Sequence, residues 1–196
     1  MKTLLETYRS KEYKTDKNTA HCYIEKLYND LFQDKEYKKV LEIGVFDGGS
    51  ILLWRDYFEQ AQIDAVDIRA SSIFKDEERI NHIIGNAYTK DFVKNLSNDY
   101  DLIIDDGPHT LDSMKFFVNN YIHLLNDDGI AIIEDVQNMN WVPQLCELVP
   151  NNFMYKVYDL RNVKNRWDDI VIAIQRLRDV DEEEIKEMVD NFPTTE

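Results

Sequence analysis

Short apolar runs alternate along the chain with stretches in which apolar residues recur at helical spacing. The apolar runs predict strands at 38–44, 62–67, 81–84, 100–105, 129–134, 153–159 and 168–175. The clearest helix is predicted at 111–125, whose inner face would carry Met114, Phe117, Val118, Tyr121, Ile122 and Leu125. Because strands alternate with helices, we predict an α/β fold with a doubly wound, mostly parallel sheet.

The stretch from Val40 to Ser50 reads VLEIGVFDGGS and predicts a buried strand, a tight glycine loop and a helix start. Glycines in such a loop let the backbone approach a ligand closely, and the helix aims its first amides at it. The spacing is neither the G-x-G-x-x-G of dinucleotide sites nor a P-loop. Acidic Glu42 and Asp47 suit the cationic sulfonium of S-adenosylmethionine (SAM), and the loop resembles motif I of the class I SAM-dependent methyltransferases. An ordinary strand–turn–helix corner is the alternative.

A second acidic residue ends the next predicted strand. Asp67 follows Glu42 by 25 residues. In a β-α-β unit, a carboxylate at this place can bind both hydroxyls of a ribose. The alternative is a helix cap or a solvated loop aspartate.

Four carboxylates and one imidazole follow two later strands, namely Asp105, Asp106, His109, Glu134 and Asp135. Ligands of open α/β sheets bind beyond the carboxyl ends of the strands, so these side chains are expected to converge. Clustered carboxylates repel one another unless a cation neutralises them, and oxygen ligands suit a hard divalent ion. The alternative is that the acids cap helices, although Asp112 is expected to cap the helix after 112.

His109 is the histidine best placed for chemistry, because it lies three residues after Asp106. Histidine exchanges a proton near neutral pH, so His109 is a candidate base toward a hydroxyl nucleophile. A histidine that only packs after Pro108 is the alternative. His82 and His123 are expected to be structural.

Composition narrows the class of protein. The chain has 196 residues, 43% of them hydrophobic, which predicts one globular domain over 1–196. Within this domain we predict an N-terminal helical entry segment at 1–37 and a C-terminal helical tail at 180–196. A net charge of −15 argues against nucleic acid and anionic membranes as partners. Two distant cysteines and the absence of a signal or membrane-spanning run suggest a cytoplasmic protein.

Together these motifs resemble the metal-dependent sugar O-methyltransferases, a resemblance that runs from about Tyr13 to Arg176. Its more specific part is the pair Asp105-Asp-Gly-Pro-His109 and Glu134-Asp135. The resemblance implies a Rossmann-like, seven-stranded sheet with an antiparallel last strand, SAM as methyl donor and Mg²⁺. It also implies that His109 is the catalytic base and that Asp106, Glu134 and Asp135 bind the metal. The cofactor-binding residues would be Lys17, Glu42, Gly44, Asp47, Gly48, Ser50, Asp67, Ile68, Asn86, Ala87 and Asp105.

The resemblance also bears on the methyl acceptor. The resemblance suggests a small-molecule hydroxyl on a glycoside, and a homo-oligomer is possible. The sequence departs from the family at Asn18, Asn86 and Pro108, where glycine, aspartate and serine are common. The alternatives are methylation of a catechol-like hydroxyl, SAM binding without turnover, and binding of another nucleoside. Trp141, Tyr155 and Trp167 could stack on an acceptor or pack in the core.

Overall fold

The computed structural model describes residues 2–177, whose centre is one seven-stranded sheet. Its strands are β1 (Lys39–Ile43), β2 (Gln62–Asp67), β3 (Ile80–Ile84), β4 (Tyr100–Asp105), β5 (Leu125–Ile133), β6 (Phe153–Asp159) and β7 (Ile170–Arg176). Each of the seven predicted strands is therefore present. Three keep their predicted bounds, and the bounds of the other four shift by one to four residues. The predicted tail at 180–196 lies outside the described residues.

The strand order across the sheet is β3-β2-β1-β4-β5-β7-β6. β1 to β5 pair in parallel, whereas β7 runs antiparallel to both β5 and β6. This confirms the predicted doubly wound, mostly parallel sheet with an antiparallel last strand. The order reverses between β1 and β4, and ligands of such sheets bind at this switch point.

Within residues 2–177, seven α-helices connect the strands or precede the sheet. They are α1 (Leu4–Ser10), α2 (Asn29–Leu31), α3 (Gly49–Tyr57), α4 (Lys90–Val93), α5 (Leu111–Asn120), α6 (Trp141–Cys146) and α7 (Arg161–Lys164). A π-helical turn at Ile24–Tyr28 leads into α2, and a 3₁₀ turn at Ile122–Leu124 follows α5. None of these helices combines the length and hydropathy that a membrane span requires.

Both faces of the sheet are covered by other elements. Successive residues of a strand point to opposite faces, so each strand contributes to both layers of the core. In β1, Val40 packs with the N-terminal elements and α3, whereas Leu41 packs with α5. The N-terminal layer is largely aromatic: Tyr28 stacks on Phe32 and meets Trp54 edge-on. The predicted entry segment is therefore part of the core, and it holds the chain before β1 against the sheet.

The predicted helix at 111–125 was too long, and its predicted cap was wrong. The N-cap is Thr110, whose hydroxyl accepts from the Ser113 amide while Ser113 bonds back, so Asp112 does not cap. The helix ends at Asn120, and Leu125 already belongs to β5. β5 begins four residues before the predicted start. The side-chain amide of Asn126 donates to the Asp99 carbonyl and so holds this irregular strand start against the segment before β4.

Candidate functional site

The glycine loop after β1 lies against the loop after β4. Gly44 has φ +92, and its amide donates to the Val66 carbonyl over 2.9 Å. A Cβ on Gly44 would lie 1.9 Å from the backbone oxygen of Asp106, so only glycine fits. The entry segment also crosses this loop, because a Cβ on Gly49 would lie 2.1 Å from the Lys14 carbonyl oxygen.

Backbone strain marks the same edge of the sheet. Phe46, His109 and Asp135 have φ of 45, 50 and 55, on the loops that follow β1, β4 and β5 respectively. Side chains with a Cβ rarely adopt this region, and such residues concentrate at functional sites. The structure thus brings the loops with the predicted cofactor, base and metal residues together.

Asp67 ties two loops together at the end of β2. One carboxylate oxygen accepts from the Val45 amide and the other from the Arg69 amide, both over 2.9 Å. These backbone donors hold the pKa of the Asp67 carboxyl below its usual value, although burial acts in the opposite direction. An ionised Asp67 therefore stands at the edge with remaining acceptor capacity, as a ribose contact requires.

Other predicted cofactor residues line the same edge but differ in exposure. Asp47 and Asn86 are exposed, and Ile68 is 70% exposed, so all three are open to a ligand. Gly48 and Ala87 are buried, and the Ala87 carbonyl accepts from Tyr121 over 2.6 Å. An exposed, large apolar side chain such as Ile68 suits contact with the flat ring of a nucleoside base.

Glu42 does not face the open edge. Its side chain is fully buried and accepts from the Ser50 hydroxyl over 2.5 Å and from the Trp54 indole. Burial raises the pKa of this carboxyl, and Lys17 opposes the rise from 3.8 Å away. Glu42 and Ser50 thus support the glycine loop from behind, where the sequence suggested direct contact with the cofactor.

Lys17 is the central cation of the site. Its ammonium is buried and donates to Asp106 over 2.8 Å and to Glu134 over 2.5 Å, with Glu42 third. Burial opposes its charge, but the three carboxylates outweigh burial and raise the pKa of Lys17 well above its usual value. Three acids surround one ammonium, so ionising all of them leaves a surplus negative charge.

Glu134 is buried within this cluster. It accepts from Tyr28 as well as from Lys17, and burial raises the pKa of its carboxyl well above the usual value. Its neighbours Asp106, Glu42 and Asp135 act in the same direction. A fully ionised cluster is thus stable only if a further cation shares it.

A set of possible metal donors lies beside this cluster. Asp106, His109 and Asp135 place one ligand atom each within 4.8 Å of one another. His109 Nε2 lies 3.6 Å from an Asp106 oxygen and 3.7 Å from an Asp135 oxygen. Glu134, the third predicted ligand, is not in this set, because its carboxylate is engaged by Lys17 and Tyr28.

A second histidine, which the sequence did not predict, lies at the site. His21 is buried, and its Nδ1 lies 2.6 Å from Asp169 and 3.5 Å from Asp135. Tyr23 lies against the same group, since its hydroxyl donates to Asp135. The available signal was the cluster of polar residues around Asp16-Lys17 and the pair Asp168-Asp169, which the sequence places far apart.

Asp105 is buried behind the metal donors. Tyr88 donates to it, but burial, together with the nearby Asp106 charge, raises the pKa of the Asp105 carboxyl to about 7. Its unfolded pKa is about 3.9. Because the folded value is the higher one, the stability that Asp105 contributes is fully present below pH 4 and is lost as pH rises through 7.

We therefore expect Asp105→Asn to stabilise the ligand-free protein more at pH 8 than at pH 5, by a difference of order 2 kcal/mol. The amide can still accept from Tyr88 but carries no charge. Denaturant unfolding in EDTA at both pH values measures this difference. Asp127→Asn, at the opposite end of β5, serves as the control. Equal gains at the two pH values would show that Asp105 is ionised in the folded protein without penalty.

Comparisons with known proteins agree with this geometry. No protein-family model matches the sequence. The mycinamicin VI 2''-O-methyltransferase of Micromonospora griseorubida is 30% identical over 126 residues, covering 58% of this chain and 31% of that relative. A rhamnosyl-tetracenomycin 3'-O-methyltransferase of Streptomyces olivaceus is 29% identical over 108 residues, covering 50% of this chain and 27% of that relative. The match thus spans less than a third of these relatives.

A second group of relatives transfers a different group. A polyamine aminopropyltransferase of Clostridium botulinum is 36% identical over 112 residues, covering 48% of this chain and 39% of that relative.

Among solved structures, a methyltransferase of the mycinamycin pathway, in complex with Mg, SAH and mycinamycin VI, superimposes with a TM-score of 0.70. It is 22% identical, and the match covers 92% of this chain and 56% of that one. At this identity the match demonstrates a shared fold. The chain therefore has the fold of the class I SAM-dependent methyltransferases, and within that class its sequence resembles the macrolide and sugar O-methyltransferases.

Proposed function

We propose that this chain transfers the methyl group of SAM to a hydroxyl of a small molecule, with a sugar or glycoside as acceptor. The observation that carries the proposal is the convergence of three features on one sheet edge. These are the glycine loop at Gly44, the ionised Asp67, and the set Asp106, His109 and Asp135. The sugar O-methyltransferase relatives support the choice of acceptor.

The methyl donor would lie across the ends of β1 and β2. Asp67 would bind the ribose hydroxyls, and Asn86 would meet the base edge, with Ile68 and Ala87 beside the ring. Gly44 and Gly48 would admit the amino-acid part of the donor, while exposed Asp47 adds negative charge near its cationic groups. Lys17, Glu42 and Ser50 would maintain the loop shape, because they bond to one another behind it.

The donor set fits a divalent cation. Two carboxylates and an imidazole converge, and the adjoining Lys17 cluster leaves negative charge unneutralised. Asp106 and Asp135 would bind Mg²⁺. Glu134 would complete the predicted ligand set if it exchanged its bond to Lys17 for the metal, which leaves His109 Nε2 free to accept a proton. When bound, the ion would orient the acceptor hydroxyl and lower its pKa.

His109 would act as the base. It would take the proton of the acceptor hydroxyl at Nε2, while the oxygen attacks the methyl carbon. The carbon–sulfur bond breaks, its electron pair stays on sulfur, and the sulfonium becomes a neutral thioether. Because the sulfonium is already a good leaving group, alignment of acceptor and donor supplies much of the rate. Asp105 and Asp106 frame this position from the end of β4.

The donor site is tested by Asp67→Ala. We expect this variant to lose roughly 1.5–3 kcal/mol of SAM binding, the scale of charged hydrogen bonds left unmade. Calorimetric titration of SAM measures the loss. Asp67→Asn keeps one oxygen, which can accept from only one of the Val45 and Arg69 amides, and so removes the charge while part of the loop support remains. Asp127→Ala is the distant control, and an Asp67→Ala variant that binds SAM like the wild type would exclude the ribose role.

Aminopropyl transfer to an amine is a second candidate, favoured by the polyamine aminopropyltransferase relatives. An acidic site at the end of β4 would also suit a cationic amine acceptor. The two reactions differ in donor and acceptor, so parallel assays distinguish them. Product formation from a diamine and an aminopropyl sulfonium donor, without methylation of any hydroxyl, would favour this second reaction.

A further inference from the structure

Asp135 is held from the side opposite to His109. Its Oδ1 accepts from the Tyr23 hydroxyl and lies 3.5 Å from His21 Nδ1. Its Oδ2 lies 3.7 Å from His109 Nε2. The two oxygens of this carboxylate therefore face different surroundings, one inside the protein and one toward the proposed metal site.

The inner surroundings are built from three distant parts of the chain. His21 precedes the π-helical turn, Asp169 precedes β7, and Asp135 follows β5. His21 Nδ1 lies 2.6 Å from the Asp169 carboxylate, and the Tyr23 ring stacks on the imidazole at 4.7 Å between centroids. The His21 imidazole is thus held between the carboxylates of Asp135 and Asp169 and against the Tyr23 ring.

The loop that carries His21 is itself clamped. Lys164 donates to the backbone carbonyls of Asn18, Thr19 and His21, the last over 2.6 Å. The imidazole therefore stands on a backbone tied to α7, so its place does not depend on Asp135.

Burying the Asp169 carboxylate costs folding free energy. It is fully buried, and its Oδ2 has no hydrogen-bond partner. Arg166 Nε lies 3.5 Å from the other oxygen, Oδ1. A buried carboxylate with an unpaired oxygen is destabilising, so packing alone does not account for it. Asp135 adds strain, since its φ of 55 must be imposed by its surroundings.

We propose that His21, Tyr23 and Asp169 are positioning residues that anchor Oδ1 of Asp135, so that Oδ2 is presented to a divalent cation shared with Asp106. The inference rests on the metal in the proposed function. Carboxylate ligands in metal sites are commonly oriented by such outer hydrogen bonds, whose loss weakens metal binding by about 10–100-fold.

The test measures Mn²⁺ binding to the full chain without SAM, from the electron paramagnetic resonance signal of free Mn²⁺. We expect His21→Ala and Tyr23→Phe to raise the Mn²⁺ dissociation constant by about 10–100-fold. His21→Asn should restore most of the affinity, because its amide can donate from nearly the position of Nδ1. His123→Ala, which removes an exposed side chain on the 3₁₀ turn away from the site, should bind like the wild type.

A second readout separates positioning from catalysis. In turnover assays, His21→Ala should need more metal for half-maximal rate, yet approach the wild-type kcat at saturating metal. Unchanged Mn²⁺ affinity in both His21→Ala and Tyr23→Phe, with both variants folded, would overturn this inference and leave the metal of the proposed function intact. A wild-type protein that binds no Mn²⁺ would overturn the metal in the proposed function, and this inference with it.

Discussion

Replacing His109 by alanine is expected to lower kcat by about 10²–10⁴ while leaving SAM affinity nearly unchanged. His109 stands at the carboxyl edge of the sheet on the loop after β4, with Nε2 near both Asp106 and Asp135. It is about a quarter exposed, so an acceptor can reach it. Removing the imidazole deletes the proton acceptor without touching the loops at Gly44 and Asp67.

Steady-state kinetics and SAM calorimetry on the same preparation measure both quantities. The wild-type rate should rise with pH as the base loses its proton, and the alanine variant should lose that rise. His123→Ala is the matched control. If His109→Ala keeps the wild-type kcat and pH profile, the base must be sought at Asp105, Asp106 or solvent. If it loses Mn²⁺ binding as well, His109 is a metal ligand.

Removing the divalent ion is expected to abolish turnover, with recovery when Mg²⁺ is returned in excess. The basis is the surplus negative charge among Glu42, Asp106 and Glu134, which Lys17 alone does not neutralise. Without the ion, the acceptor hydroxyl loses both its orientation and the lowering of its pKa. Activity in EDTA, followed by titration with Mg²⁺, measures this directly.

Asp106→Asn gives the matching variant, since the amide keeps the shape of the side chain but removes its charge. We expect it to need far more Mg²⁺ for activity, whereas Asp127→Asn should behave like the wild type. Full turnover of the wild type in EDTA would contradict the metal, and would leave the acids as structural partners of Lys17. Equal loss in Glu134→Gln would place Glu134 among the ligands.

The sheet could be predicted from the sequence because buried parallel strands are continuous apolar runs. The run at Ile170, for example, is apolar on both faces and forms a fully buried strand. Element ends were harder to predict. The predicted helix extended to Leu125 because its apolar spacing continues past Asn120. In the structure Leu125 instead pairs with Tyr100 in the sheet, and this partner is distant in sequence.

The site was predictable where residues follow strand ends, because topology alone brings those ends together. This placed Asp67, Asp106, His109 and Asp135 at one edge. Contacts between distant segments were not predictable. Lys17 was expected at the cofactor, yet its ammonium lies 2.8 Å from Asp106, which is 89 residues away.

The role of His21 could not be predicted for the same reason. It depends on Asp169, 148 residues away, and on stacking with Tyr23, and neither contact leaves a local pattern in the sequence. Glu42 is a different case, because strand alternation does not indicate that Trp54 and Ser50 would use both of its oxygens inside the protein.

Incubating the protein with methyl-labelled SAM, Mg²⁺ and a panel of glycosides, with catechols alongside, tests the proposed reaction most directly. We predict label on a hydroxyl of at least one glycoside, lost in EDTA and strongly reduced in His109→Ala. SAM binding without label in any acceptor would contradict the proposed reaction and favour a non-catalytic SAM-binding protein. Label on catechols alone would contradict the choice of a sugar acceptor.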